Sequence, residues 1–287
     1  MAPLPCNLCR SESPVYVCSK DGVDIIRCKT CGLIYVGTMR EQDDLKNHYS
    51  EEYFEPYFKA EQLYLKKRFS KRLREIRQYV DAGMLLDVGC GAGFFLKLAA
   101  DNGFRTKGVE LSQYAADYAR TTMGLDVFHG ELADAQFEPE QFDVVTLWHV
   151  IEHVHDPKRF LQRINKLLKP GGFLALEVPN IGSIGARIAG MDWEMLAPRE
   201  HFYYFTKATI IRLLRDAGFQ MLQQRTFIWT TPDLLFTIKA ANAKGFGKAL
   251  YRGLSLVFKP LSFLRFRIAP AWFEGDVLIV YARKAED

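Results

Sequence analysis

Two hydrophobic periods alternate along the chain. Met84–Val88, Gln141–Trp148 and Phe173–Val178 are apolar runs with the composition of strands buried on both faces. Thr106–Val109 and Leu125–Phe128 read as shorter strands of the same set. Helical segments lie between them: one from Gly93 to Gly103, one capped by Ser112 and stopped by Gly124, and one opened by Asp156-Pro157. Strands alternating with helices predict an α/β fold on a parallel sheet. Thr206 caps a further helix that Gly218 ends, and Phe219–Trp229 and Asp276–Ala282 follow as a sixth and a seventh strand. Ahead of the set, Leu65, Phe69, Leu73, Ile76 and Val80 mark one amphipathic helix from about Lys59 to Val80. Gly83 is expected to end it, with its many Lys and Arg residues on a solvated outer face.

The turn after the first of these strands carries the first chemistry. Asp87 precedes Gly89, Gly91 and Gly93, and glycines at alternate positions let the backbone turn sharply and let a ligand approach without meeting a Cβ. The G-x-G-x-G spacing differs from the G-x-G-x-x-G of a dinucleotide loop. Glu110 stands at the tip of the second strand, 23 positions after Asp87, where a carboxylate can accept from both hydroxyls of a ribose. Gly130-Glu131-Leu132 follows the third strand. The fourth runs into His149-Val150-Ile151-Glu152-His153, and Lys169-Pro170-Gly171-Gly172 turns into the fifth. In this order, these stretches resemble motif I and motifs IV to VI of the class I S-adenosylmethionine (SAM) methyltransferases. The resemblance implies a Rossmann-like sheet of seven strands, the last antiparallel, over residues 84–287. It implies SAM as cofactor, with Asp87, Gly89, Cys90, Gly91 and Gly93 forming the loop and Glu110 the ribose contact, Leu111 beside it. Glu131 or Asp134 would face the adenine amino group, and Trp148 the floor under the methyl group.

Cysteine usage adds a second module. Cys6-x2-Cys9 and Cys28-x2-Cys31 are paired knuckles 18 residues apart, the spacing of a tetrahedral thiolate site for zinc. Val15–Val17 and Val23–Ile26 would form the hairpin of a zinc ribbon over residues 1–40, with a structural role because the ligand set is closed. Gly32 allows a turn that aims backbone N–H groups at the thiolates, and Cys18 reads as a packed or exposed thiol. Residues 41–83 join the modules through an acidic, aromatic linker and the amphipathic helix. Six cysteines, no export signal and no apolar run near the ~20 residues of a membrane span predict a cytoplasmic protein.

Methyl transfer from a sulfonium needs an acceptor held in line and, where the acceptor loses a proton, a base. His149, His153 and His201 are the candidates. Glu200-His201-Phe202-Tyr203-Tyr204-Phe205 resembles the E-H-x-x-Y-F segment of zinc-ribbon sugar C-methyltransferases, which implies His201 as base with Glu200 orienting it. His149, directly after Trp148, is the alternative. The net charge of +4 is mild, and the ribbon lacks basic residues interleaved with aromatics, so RNA is disfavoured as a partner. Residues 233–272 carry seven basic residues against Asp233 alone, among Phe246, Leu250, Leu254, Val257, Phe258, Leu261 and Phe263. This apolar, basic insertion is either a lid or a contact with an anionic membrane surface. The expected acceptor is a small molecule, a sugar derivative or a lipophilic or lipid-linked compound. An RNA methyltransferase and a SAM-binding module without turnover are the rival readings.

Overall fold

The structure is a computed structural model and describes residues 5–39, 62–228, 245–258 and 274–285. Its centre is a seven-stranded sheet. In chain order the strands are β4 (Gly83–Val88), β5 (Phe104–Glu110), β6 (Val127–His129), β7 (Phe142–Trp148), β8 (Leu168–Pro179), β10 (Phe219–Phe227) and β11 (Val277–Lys284). Their spatial order is β10-β11-β8-β7-β4-β5-β6. The first five pair in parallel, and β11 runs antiparallel between β8 and β10. From β4 the chain steps outward through β5 and β6, then returns to β4's other side with β7. The strand order therefore reverses there, and a crevice opens at the carboxyl ends of β4, β5 and β7. Asp87, Glu110 and Trp148 stand at those ends.

Two apolar cores cover the sheet. One joins Leu85, Val144, Phe173, Ala175 and Ile279 to the helices α1 (Gln62–Ile76), α2 (Phe94–Asp101) and α3 (Gln113–Thr121). The other joins Leu86, Val145, Leu147, Leu174 and Leu176 to α4 (Pro157–Leu167) and α6 (Lys207–Asp216). Local signals set the helix ends as expected. The Ser112 hydroxyl accepts from the N–H of Ala115, Asp156 accepts from Arg159, and Thr206 and Thr209 cap each other reciprocally.

The cysteine-bearing segment forms β1 (Pro14–Lys20), β2 (Val23–Cys28) and β3 (Ile34–Val36), joined antiparallel. It is continuous with the rest of the molecule. A short strand far along the chain, β9 (Tyr203–Tyr204), pairs with β3 and completes a four-stranded sheet. Cys6, Leu8, Ile25, Tyr35 and Val36 are buried in the same core as α4 and α6. Cys18 packs partly buried against that core, outside the cysteine cluster.

Four local expectations change. Gly83 does not end α1, which stops at Ile76; it opens β4, where an added Cβ would lie 2.8 Å from the Asp143 Cβ. Not all the basic residues of α1 face water: Arg68 and Arg72 turn inward onto Glu177, with side chains 10% and 3% exposed. Lys169-Pro170-Gly171-Gly172 lies inside β8, which begins at Leu168 against Phe142 and regains register at Phe173. The loop expected over residues 179–205 contains the short helix α5 (Ile184–Ala189) and β9. Of the insertion at 233–272, residues 245–258 are a helix, α7; the remainder, like the linker at 41–57, lies outside the described residues.

Candidate active site

A cavity of about 1220 Å³ fills the crevice, lined by the glycine turn, the tips of β5 and β7, α1 and the segment before β9. The turn is shaped for close approach. Gly89 has φ +70, and a Cβ there would come within 2.6 Å of a Val150 methyl. Gly93, at φ +81, opens α2.

Two buried carboxylates flank the turn. Glu110 accepts from the N–H of Gly91 at 2.7 Å and from that of Ser112 at 2.8 Å, which pins it across the loop. Burial raises its pKa above the usual carboxylate range despite these N–H groups. Asp87 accepts from the Thr146 hydroxyl at 2.6 Å through Oδ1, while its buried Oδ2 has no hydrogen-bond partner. Burial and the nearby Glu110 push Asp87 up to about 8, against the pull of Thr146. A cationic ligand group would relieve both the desolvation and the orphaned oxygen, so this floor fits the aminoacyl end of SAM. Cys90, Leu111 and Glu131 also line the cavity, whereas Asp134 does not. The indole of Trp148 is held edge-on by Phe95 at 5.0 Å and tilted against Phe69 at 6.4 Å, and its buried Nε1 has no partner.

Facing the turn is a polar wall. His149 has φ +58, an uncommon conformation for a residue with a side chain, and its N–H donates to the Glu177 carbonyl. This places its ring between two carboxylates, with Nδ1 3.2 Å from Glu152 Oε1 and Nε2 3.8 Å from Glu177 Oε2. Glu177 also takes the guanidinium groups of Arg68 and Arg72. Burial opposes its charge, but the two arginines and His149 win and hold it down to about 2. Glu152 is fully buried yet also held low, because His149, His153 and His201 outweigh the burial.

His201 reaches the same wall from the other segment. Its Nδ1 donates to the Met195 carbonyl at 2.8 Å, and its ring meets that of His153 edge to face at 4.7 Å. The Glu152 carboxylate is gathered with His201 and His153, and both Glu200 and His201 line the cavity. The Met195 carbonyl orients the His201 imidazole through Nδ1. The ribbon braces this segment, since Val36 N–H donates to the Phe202 carbonyl and Arg199 reaches the Asp21 carbonyl.

Sequence reasoning did not single out Glu177, Arg68, Arg72 or Thr146. A signal existed for three of them. Glu177 interrupts an apolar strand, and two arginines spaced i, i+4 share the face of α1 that carries Leu65 and Leu73.

In the ribbon, one sulfur from each of Cys6, Cys9, Cys28 and Cys31 lies within 4.8 Å of the others. Cys6–Cys31 and Cys9–Cys28 are 3.4 and 3.5 Å apart, too long for S–S bonds. Burial raises Cys6 and Cys31. Burial also opposes ionisation of Cys28, but the N–H groups of Cys31 and Thr30 and the Cys9 thiol bring it down to about 6. Four convergent sulfurs with N–H donors behind them fit a tetrahedral divalent ion.

Residues 57–224 match the sequence model of a family described as "Methyltransferase domain". The "Ubiquinone biosynthesis O-methyltransferase" of Leptothrix cholodnii is 30% identical over 171 residues, covering 54% of this chain and 72% of that protein. Its namesake in Cupriavidus pinatubonensis is 28% identical over 166 residues, covering 54% and 67%. Among solved structures, a SAM-dependent methyltransferase from Thermotoga maritima shares the fold at TM-score 0.58, with 20% identity over 84% of this chain and 98% of that one. One from Archaeoglobus fulgidus does so at TM-score 0.56, with 20% identity over 82% and 100%.

Proposed function

The chain belongs to the class I SAM-dependent methyltransferases, and from that premise we propose that it methylates an oxygen of a small lipophilic acceptor, with His149 as the base. The observation that carries this reading is the placement of His149 on the cavity wall between Glu152 and Glu177. SAM, when bound, supplies a methyl group on a sulfonium. Asp87, the glycine turn and Glu110 would hold it. Nδ1–H of His149 donates to Glu152, which leaves Nε2 to take the acceptor's hydroxyl proton. The imidazolium then sits between two carboxylates that both stay ionised. Glu177 keeps its charge because Arg68 and Arg72 hold it, so a negative partner stands ready beside the ring.

A lipophilic acceptor is favoured over a sugar by the ubiquinone-biosynthesis names of the relatives and by an apolar lining that includes Leu65, Phe69, Phe95 and Trp148. Helix α7 leaves Leu250, Leu256 and Val257 exposed beside Lys248 and Arg252, which supports contact with an anionic membrane carrying such an acceptor. Among the described residues no helix is long and apolar enough to cross a membrane. The cysteine cluster we read as a structural zinc site that closes the ribbon.

The test is methyl transfer from SAM to a panel of lipophilic hydroxylated compounds, read by mass spectrometry. His149→Ala should lower kcat by about 10²–10⁴, as for loss of a general base, while SAM affinity stays within a few-fold. Transfer only to carbon or nitrogen acceptors would overturn the oxygen assignment. Co-sedimentation with anionic vesicles should require α7's exposed Leu256 and Val257; a chain that stays in the supernatant at low salt would remove the membrane contact.

A further inference from the structure

His149 stands between two carboxylates and, as a neutral imidazole, has one N–H to give. Which carboxylate receives it decides which ring nitrogen keeps the lone pair. Glu152 and Glu177 are equally buried, with fully covered side chains. They differ in what already surrounds them.

Glu177 is saturated from α1. Arg68 donates to its Oε2 through Nε, at 3.0 Å, and through Nη2, while Arg72 donates to Oε1 through Nε. Oε2 is the oxygen that faces the ring, and its 3.8 Å from His149 Nε2 is too long for a hydrogen bond. Arg72 is fixed in turn. Its Nη1 donates to Glu75 at 3.0 Å, and Glu75 also takes the Tyr281 hydroxyl at 2.5 Å and Arg225 at 3.1 Å.

Glu152 is the opposite case. Its Oε1 takes His149 Nδ1 at 3.2 Å, and among the described residues its Oε2 has no hydrogen-bond partner. His153 does not supply one: its Nδ1 lies 3.0 Å from the Glu200 carbonyl, which can only accept, so the proton sits there and Nε2 stands 4.0 Å off Glu152 with its lone pair. A buried carboxylate left without a donor is costly, whereas Glu177 gains little from a fourth N–H.

We propose that Arg68 and Arg72 are positioning residues that select the tautomer of His149: by saturating Glu177 they send the ring proton to Nδ1 and Glu152, and leave the lone pair on Nε2. Both work through Glu177, Arg68 on the oxygen that faces the ring and Arg72 on the orientation of the carboxylate. The selection stands on this geometry. Its use, a free Nε2 to take the acceptor's proton, rests on the oxygen transfer proposed above.

The test is ¹⁵N NMR of ring-labelled histidine in the full-length protein, without SAM or acceptor, at a pH where the His149 ring is neutral. Its signals are those lost in His149→Asn, a residue that tolerates φ +58. The wild type should show a pyrrole-type shift at Nδ1 and a pyridine-type shift at Nε2. Arg68→Met keeps an apolar side chain beside Phe69 and leaves Arg72 on Glu177, so the fold is retained. It frees Oε2, and the two shift types should interchange in the major population. Arg68→Met/Glu177→Gln removes the freed carboxylate and should restore the wild-type pattern, a rescue that a merely structural role for Arg68 would not give. A wild-type ring with its proton on Nε2, an Arg68→Met ring unchanged from wild type, or a double variant that keeps the Nε2–H form would each overturn the selection. No methyl transfer enters the measurement, so a finding that only carbon or nitrogen is methylated would sink the oxygen reading and leave the tautomer result standing.

Discussion

Asp87 gives the sharpest test of the cofactor floor. Its carboxyl is buried with one orphaned oxygen and sits at a pKa of about 8, against an ordinary 3.8. At pH 7 it is therefore mostly protonated in the free enzyme. SAM brings a sulfonium and an ammonium into the cavity, and positive charge beside Asp87 favours the carboxylate. Binding at pH 7 should then release up to about one proton per SAM, and affinity should rise by at most about tenfold per pH unit up to about pH 8 before levelling. Calorimetry in buffers of different ionisation enthalpy reads the released proton directly. Asp87→Asn should bind SAM with no pH slope and the same heat in every buffer. The same group fixes a stability trend. The folded chain holds this proton more tightly than the unfolded chain, so its contribution is complete below pH 3.8 and is lost as pH rises to about 8. A wild-type binding heat that does not change with buffer, together with pH-independent affinity, would refute the placement of the cationic end at Asp87.

Two further outcomes follow from the buried network and the ribbon. Arg72→Ala removes one of the two guanidinium partners of buried Glu177 and, with Arg68 still in place, should cost about 3 kcal/mol, the lower end for a broken buried pair, by denaturant unfolding; an effect below about 1 kcal/mol would mean that water reaches the pair. The Glu177 carboxylate contributes stability above its ordinary 4.5 that is lost as pH falls toward about 2, so Arg72→Ala should also flatten the acid limb of the unfolding profile. Chelating the zinc proposed for the four cysteines should raise amide exchange at Phe202–Tyr204, because β3 pairs with β9 there, and should lower activity without abolishing SAM binding. Unchanged exchange in β9 on metal removal would separate the ribbon from the active-site wall.

Much of this was legible along the chain because it rests on spacing between near neighbours. The succession of strands and helices, the glycine turn, the carboxylates at the strand tips, the helix caps and the paired cysteine knuckles each depend on a local period or a fixed offset. That is why Asp87, Glu110 and the four cysteines could be named from residues alone. Glu131 and Asp134 were not separable that way, since both sit in one short loop; of the two, Glu131 lines the cavity.

What tertiary structure alone decided concerns surfaces that meet from distant parts of the chain. The basic face of α1 looks solvated in isolation, and Glu177 in β8, together with Glu75 beside Arg72, makes burying Arg68 and Arg72 favourable. The E-H pair reads as a unit in sequence, but the fold gives His201 a backbone carbonyl from Met195 and sets it beside Glu152 and His153. The ribbon reads as a separate module because its ligands are local, whereas its third strand has an edge that Tyr203–Tyr204 fills. Spacing specifies turns, caps and ligand sets through bonds a few residues long; burial, charge pairing and edge pairing depend on which surface arrives opposite, and that is a property of the whole fold.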